Sequence, residues 1–315
     1  MNISERFKGC ILGGAIGDAY GSAYENIPKE ENSENTYYLF GKPKVEVPKW
    51  RITDDTQLTL ATCEAIIENE SLNAEIFAEK YLEYFKSRKI TGIGASTLKA
   101  LQELEVGGHW SLVGRKGEYG AGNGCAMRIA PLGFESNITR DIIKDVSNIT
   151  HQNDEAYVGA LSVVIAIQSI INETWTGKEN LLQIIVDKIP DTRVRDRLIE
   201  IDNLKCDLKQ VGKLGNDGYV VNSIPLAIAF ASRVNEIGLT EMYKQIIELG
   251  GDTDTNCSIA GQIAGTLIGI ENIPTELMNK LKELNDFAWI NGIVNKYVET
   301  KTGHNTKSIR FADRQ

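Results

Sequence analysis

From residue 5 to residue 300 the apolar residues of this chain recur every three or four positions, and they almost never alternate. Such spacing lays a stripe along one face of a 3.6-residue helix, whereas a half-buried strand needs a period of two. It predicts helices over roughly residues 5–18, 55–69, 73–87, 95–105, 138–149, 154–171, 192–203, 223–234, 239–249, 255–270 and 285–300. Only Lys44-Val45-Glu46-Val47-Pro48 and Gly218-Tyr219-Val220-Val221 read as strands. The expected fold class is all-α, with the loops carrying the chemistry.

A chain of 315 residues, 42% of them hydrophobic, can bury one large core, and its seven prolines are scattered with no low-complexity run. A single domain over residues 1–315 is the expectation. The apolar run Cys10 to Gly17 is short and is interrupted by Asp18, so it suits neither a secretory leader nor a membrane span. Ile259 to Ile270 carries a Gly261-x-x-x-Gly265 spacing but is also too short to span. Close packing of a central helix accounts for its small residues. The net charge of −9 argues against nucleic acid as a main partner, because such affinity rests on Lys and Arg neutralising phosphates. Five cysteines without a C-x-x-C pair read as buried thiols of a reducing, cytoplasmic protein with no membrane partner, monomeric by default.

Two acidic clusters stand far apart, Thr53-Asp54-Asp55-Thr56 and Asp252-Thr253-Asp254-Thr255, each where a helix begins. Singly, each reads as a helix cap, since Asp and Thr oxygens accept from otherwise orphaned N–H groups. Together they read as a divalent-metal site, because four converging carboxylates repel one another unless a cation compensates them. The three histidines form no His-x-x-x-His pair and none neighbours a cysteine, which disfavours zinc. Carboxylate and hydroxyl oxygens favour Mg2+, then Mn2+, then Ca2+. The number of oxygens suits two adjacent ions, with Asp254 as the bridge. Gly-rich loops at Gly92-Ile93-Gly94 and Gly120-Ala121-Gly122-Asn123-Gly124 would let backbone approach a ligand.

Five segments occur in the order seen in ADP-ribosylglycohydrolases: Gly13 to Glu25, Thr53 to Thr56, Gly122 to Gly133 with Asn123, Met127 and Arg128, Thr150-His151, and Gly250 to Thr255. The chain resembles that family over about residues 8 to 270. The resemblance implies an orthogonal helical bundle that holds two Mg2+ (or Mn2+) ions, here through Thr53, Asp54, Asp55, Asp252, Asp254 and Thr255. It implies hydrolysis of an ADP-ribosylated protein side chain, arginine-linked as the first choice and serine-linked or other as the second, with ADP-ribose as product. Glu25 matches the family's acid/base glutamate. Backbone of Asn123, Gly124, Cys125 and Met127, with Gly92 and Gly94, would face the pyrophosphate; His151 would line the cleft, and Tyr119 could stack on adenine. Asp18 is read as a brace for neighbouring backbone. The alternative is a protein of the same fold that binds ADP-ribose, a toxin or a partner without turnover.

Overall fold

The computed structural model describes residues 1–25, 48–205 and 207–312. Its first half contains α1 (Ile3–Ser22), α2 (Asp54–Glu68), α3 (Ala74–Lys86), α4 (Ala95–Glu105), the single turn α5 (Trp110–Val113), α6 (Arg140–Asn148) and α7 (Asp154–Ile171). The second half contains α8 (Leu181–Val186), α9 (Arg193–Asn203), α10 (Leu208–Val211), α11 (Val220–Ser232), α12 (Val234–Ile237), α13 (Leu239–Leu249), α14 (Thr253–Ile268), α15 (Thr275–Lys282) and α16 (Phe287–Ala312). The only named strands among the described residues are β1 (Arg115–Lys116) and β2 (His151–Gln152), paired in parallel. The all-α expectation holds.

Several helices start where side chains satisfy their first N–H groups. Asn2 and Glu5 form a reciprocal capping box at α1, and Asn73, Thr139, Asn153 and Thr192 accept from the first turns of α3, α6, α7 and α9. The differences from the sequence reading are local. Val220 and Val221 begin α11 instead of a strand, since both are buried in the core, and the strand signal survives only as a single bridge between Gly122 and Tyr219. The Lys44 to Pro48 strand lies almost wholly outside the described residues. Helices α8 and α15 were not anticipated, because six and eight residues give too short a window for periodicity to register.

The centre of the fold is an antiparallel contact between α1 and α14. A Cβ built on Gly9 would lie 2.2 Å from the Gly265 carbonyl oxygen, on Gly13 2.5 Å from that of Gly261, on Gly17 2.2 Å from that of Cys257, and on Gly21 2.3 Å from that of Thr253. The stripe repeats every four residues, so one face of α1 is bare backbone laid on bare backbone. Weak Cα–H to carbonyl contacts and dense dispersion replace side-chain interlock at such a crossing. The Tyr243 hydroxyl, from α13, donates to the Gly13 carbonyl at 2.7 Å and closes the flank. Phe7 stacks on Tyr297 of α16 with ring centroids 3.7 Å apart, fastening the C-terminal helix to α1. Helix α7 is long and apolar enough for a bilayer by composition, and most of its residues are buried inside the protein.

Filling this stripe should be costly. Gly17→Ala and Gly265→Ala are each expected to destabilise the protein by about 3 kcal/mol in urea unfolding, because the neighbouring atoms are backbone and cannot move aside. Gly292→Ala, exposed in α16 with nothing within 4 Å of its Cβ position, should be neutral or stabilising by up to about 1 kcal/mol. Equal losses at the two kinds of site would remove the close approach as the cause.

Candidate metal centre

The stripe delivers Asp18, fully buried in α1, to the start of α2. Its carboxylate accepts from the Thr53 N–H at 2.9 Å, the Thr53 hydroxyl at 2.8 Å, the Thr56 N–H at 3.1 Å and the Thr56 hydroxyl at 2.5 Å. This is the bracing role expected of it, and it takes over much of the capping of α2. The side chains of Asp54 and Asp55 are thereby left to point elsewhere.

The second cluster behaves similarly. Gly250 and Gly251 both adopt positive φ, 76° and 78°, and turn the chain sharply into α14. Asp252 occupies the N-cap position yet makes no side-chain cap. Its Oδ2 accepts from Asn123 Nδ2 at 2.6 Å, while the same Asn123 amide donates to Ser223 at 2.9 Å, and Ser223 donates to Asn256 at 2.8 Å. The plain capping explanation of both acidic clusters is therefore insufficient.

The carboxylates converge. Oxygens of Asp18, Asp55 and Asp254 lie within 4.8 Å of one another, and so do those of Glu25, Asp252 and Asp254. Asp254 belongs to both groups. Thr255 donates its hydroxyl to Asp55 Oδ2 at 3.1 Å, and the Gly94 N–H reaches Asp54 Oδ2 at 3.4 Å. Asp55 Oδ1 is buried with no hydrogen-bond partner. Among the described residues no Lys or Arg forms an ion pair with any of these aspartates.

The electrostatic consequence is severe. Burial, followed by repulsion from Asp254, pushes Asp18 up to about 7; burial, followed by Asp18, pushes Asp54 up to about 8. Asp55 and Asp252 are raised well above the ordinary carboxylate range, again by burial first and Asp254 second. Glu25, at the exposed side, is raised by partial burial and then Asp254, with Arg51 opposing. A buried carboxylate oxygen without a donor, amid like charges and hard oxygen donors, fits a divalent cation of the Mg2+ or Mn2+ kind.

The two glycine loops frame this cluster. A Cβ on Gly92 would meet Thr53 Cβ at 3.4 Å, so that loop lies against the start of α2. In the other loop the Asn123 N–H is taken by the Gly218 carbonyl at 3.1 Å, whereas the Gly124 N–H finds no backbone acceptor among the described residues. Cys125 is fully buried and its thiol reaches the Ala156 carbonyl. Met127 is also buried, and its carbonyl accepts from Thr59 and Gln262. Neither of these two side chains faces a cleft. Tyr119 is 79% exposed, with the Arg115 guanidinium 5.1 Å from its ring, and its carbonyl accepts from the Ser96 hydroxyl.

His151 lies in β2, 3% exposed beneath the glycine loop, and Asn153 is the cap of α7. A Cβ on Gly122 would come 3.1 Å from its Nε2, and one on Gly124 2.9 Å from its Cε1. Burial, then Arg128 and Arg115, push the imidazole down to about 3, so it is neutral. Sequence reasoning missed the supporting polar residues Asn216, Ser223 and Asn256, which bear no local motif. A fully buried Asp18 within a glycine-rich helix was the one readable hint that the carboxylate cluster extends to α1.

If the cluster takes a cation, a millimolar excess of Mg2+ or Mn2+ should raise the unfolding free energy by about 3 kcal/mol at a hundredfold excess over its dissociation constant, and chelator should reverse this. Asp55→Asn should abolish that response and at the same time make the chelated protein more stable, by about 1 kcal/mol or more, because it relieves like-charge repulsion. Calorimetry of both proteins with and without chelator checks both halves.

The sequence model of the ADP-ribosylglycohydrolase family matches residues 1–306. The chain is 27% identical over 288 residues to the ADP-ribosylarginine hydrolase Tri1 of Serratia proteamaculans, covering 88% of this chain and 75% of that one. It is 25% identical over 321 residues to the ADP-ribosylhydrolase ARH3 of Mus musculus, covering 85% of each. Among solved structures it is similar to an ADP-ribosylglycohydrolase-related protein complex at 22% identity and a TM-score of 0.63, with 94% of this chain and 98% of that one covered. That last likeness bears on the fold.

Proposed function

The chain belongs to the ADP-ribosylglycohydrolase family and is a glycosyl hydrolase, and from that premise we propose that it removes ADP-ribose from arginine side chains of modified proteins in a divalent-metal-dependent reaction. The observation that carries the reading is the approach of Glu25 within 4.8 Å of Asp252 and Asp254, on the exposed side of a carboxylate cluster in which Asp252 is half-buried and Asp254 buried. An acid/base group at the mouth and a cation-binding floor are what hydrolysis of a ribosyl bond needs.

Asp55, Asp254, Asp252, Asp54, Thr53 and Thr255 are the residues that would hold the cations, two Mg2+ or Mn2+ being our choice, with Asp18 bracing them. When bound, the ions supply positive charge that orients ribose hydroxyls and offsets the carboxylates. Glu25 accepts a proton from water as its oxygen bonds to ribose C1. The bond from C1 to the guanidino nitrogen breaks, and as the arginine leaves that nitrogen takes up the proton Glu25 received, which returns Glu25 to its ionised form. The N–H of the half-buried Gly124 would donate to a pyrophosphate oxygen, as would backbone at Gly92. The arginine linkage draws support from the Tri1 relative and from the short spacing between the Gly17-Asp18 motif and Glu25. The buried, unpaired thiols of Cys10, Cys63, Cys125 and Cys257 support residence in a reducing cytoplasm.

Glu25→Gln should lower turnover by at least about a hundredfold while leaving ADP-ribose affinity within a factor of about three. The assay is release of free ADP-ribose from matched arginine- and serine-modified proteins, with Mg2+ and with chelator. Release from the arginine-modified protein only, lost with chelator, is the expected result. Serine-specific release would overturn the linkage, and tight ADP-ribose binding without release from either would replace hydrolysis with binding.

A further inference from the structure

Arg128 is fully buried and has no carboxylate partner among the described residues. Its Nη1 donates to the Gly124 carbonyl at 2.6 Å and its Nη2 to the Thr150 hydroxyl at 2.7 Å. The guanidinium lies 4.7 Å from the centre of the Tyr81 ring, and its Nε is unpaired. A buried cation without a counter-charge is costly, so its retention calls for a physical role.

The role follows from hydrogen counting. Arginine only donates, so the Thr150 oxygen must accept from Arg128. That oxygen also lies 2.7 Å from His151 Nδ1. Thr150 is fully buried, and its hydroxyl hydrogen has no other acceptor among the described residues. This hydroxyl hydrogen, sealed from solvent, is satisfied only if it donates to Nδ1, whereas a hydrogen on Nε2 faces the half-buried Gly122 and Gly124. The ring then carries its proton on Nε2, since a neutral imidazole has one donor and one acceptor nitrogen. Nε2 has no protein partner among the described residues, and it lies against the faces of Gly122 and Gly124, where any side chain would cover it.

We propose that Arg128 is a positioning residue: acting through Thr150, it fixes His151 as a neutral Nε2–H donor presented between Gly122 and Gly124 to an oxygen of a ligand of the ADP-ribose class. The ligand part rests on the function proposed above, whereas the tautomer does not. Arg128 also ties down the Gly124 carbonyl, which fixes the Gly124–Cys125 peptide beside the same imidazole.

Nitrogen-15 NMR of histidine-labelled protein reads the tautomer directly, with the three histidines assigned through His109→Gln and His304→Gln. The expected result is a pure Nε2–H signal for His151 from pH 5 to pH 8 that shifts on addition of ADP-ribose. Thr150→Val should give a mixed or reversed tautomer and about fivefold weaker ADP-ribose binding, and Thr150→Ser should restore both. Arg128→Met should behave as Thr150→Val where it folds. An Nδ1–H or charged His151 in the unaltered protein overturns the proposal, as does a Thr150→Val protein indistinguishable from it. ADP-ribose that binds by calorimetry without moving the His151 signal overturns the ligand part. The expected tautomer in a protein that binds no ADP-ribose supports the relay and sinks the proposed function instead.

Discussion

The structure depends on two helices touching through bare backbone. With a side chain at Gly9, Gly13, Gly17 or Gly21, α1 would stand off from α14 and Asp18 would no longer reach the start of α2. Asp18 aligns α2, and the beginning of α14 sits across from it, held by the Thr253 hydroxyl on the Gly21 carbonyl at 2.9 Å. Two helix starts separated by some two hundred residues are thus set side by side by a contact that contains almost no chemistry of its own. Van der Waals contact at that density is rigid, and rigidity is what an oxygen cluster needs if it is to hold a fixed geometry.

The arrangement runs against stability at the same place. Asp18, Asp54 and Asp55 are buried, with Asp252 half-buried, and the protonation of all four is displaced far upwards, while Asp55 retains an oxygen without a hydrogen-bond partner among the described residues. A core selected for stability alone would not keep them, so the strain belongs to the chemistry of the site. Around it the polar groups are almost fully paired: Asn123, Ser223 and Asn256 form a chain that ends on the Asn216 carbonyl. The repulsion is confined to one point by a shell that cannot rearrange to relieve it.

Much of this was legible in the sequence. The long helices α2, α3, α4, α7, α9, α13 and α14 announced themselves by period, and the acidic clusters by two Thr/Asp tetrads at helix starts. Helices too short to show a period, α8 and α15, were not readable, nor was the two-residue strand that carries His151. Val220 and Val221 read as strand because β-branched side chains favour it, and burial beside α14 and α7 overrode that preference. The buried relay from Arg128 was hidden for another reason: Thr150 and His151 are ordinary residues, and only the fold brings a guanidinium 22 positions away onto the Thr150 hydroxyl.

The four-residue register of the α1 and α14 stripe also limits how such a chain can diverge. Sliding one helix along the other brings glycine opposite glycine again only after four residues, about 6 Å at 1.5 Å per residue. A single inserted or deleted residue inside either stripe would rotate the glycines out of the contact and bury a side chain in their place. Length changes must therefore accumulate in the connections, such as those around Val106 to Trp110 and Glu173 to Asn180, which lie outside the stripe. Relatives should differ in the walls and rims of the cleft while sharing its floor, so that new specificities arise by remodelling loops over a carboxylate cluster that cannot drift.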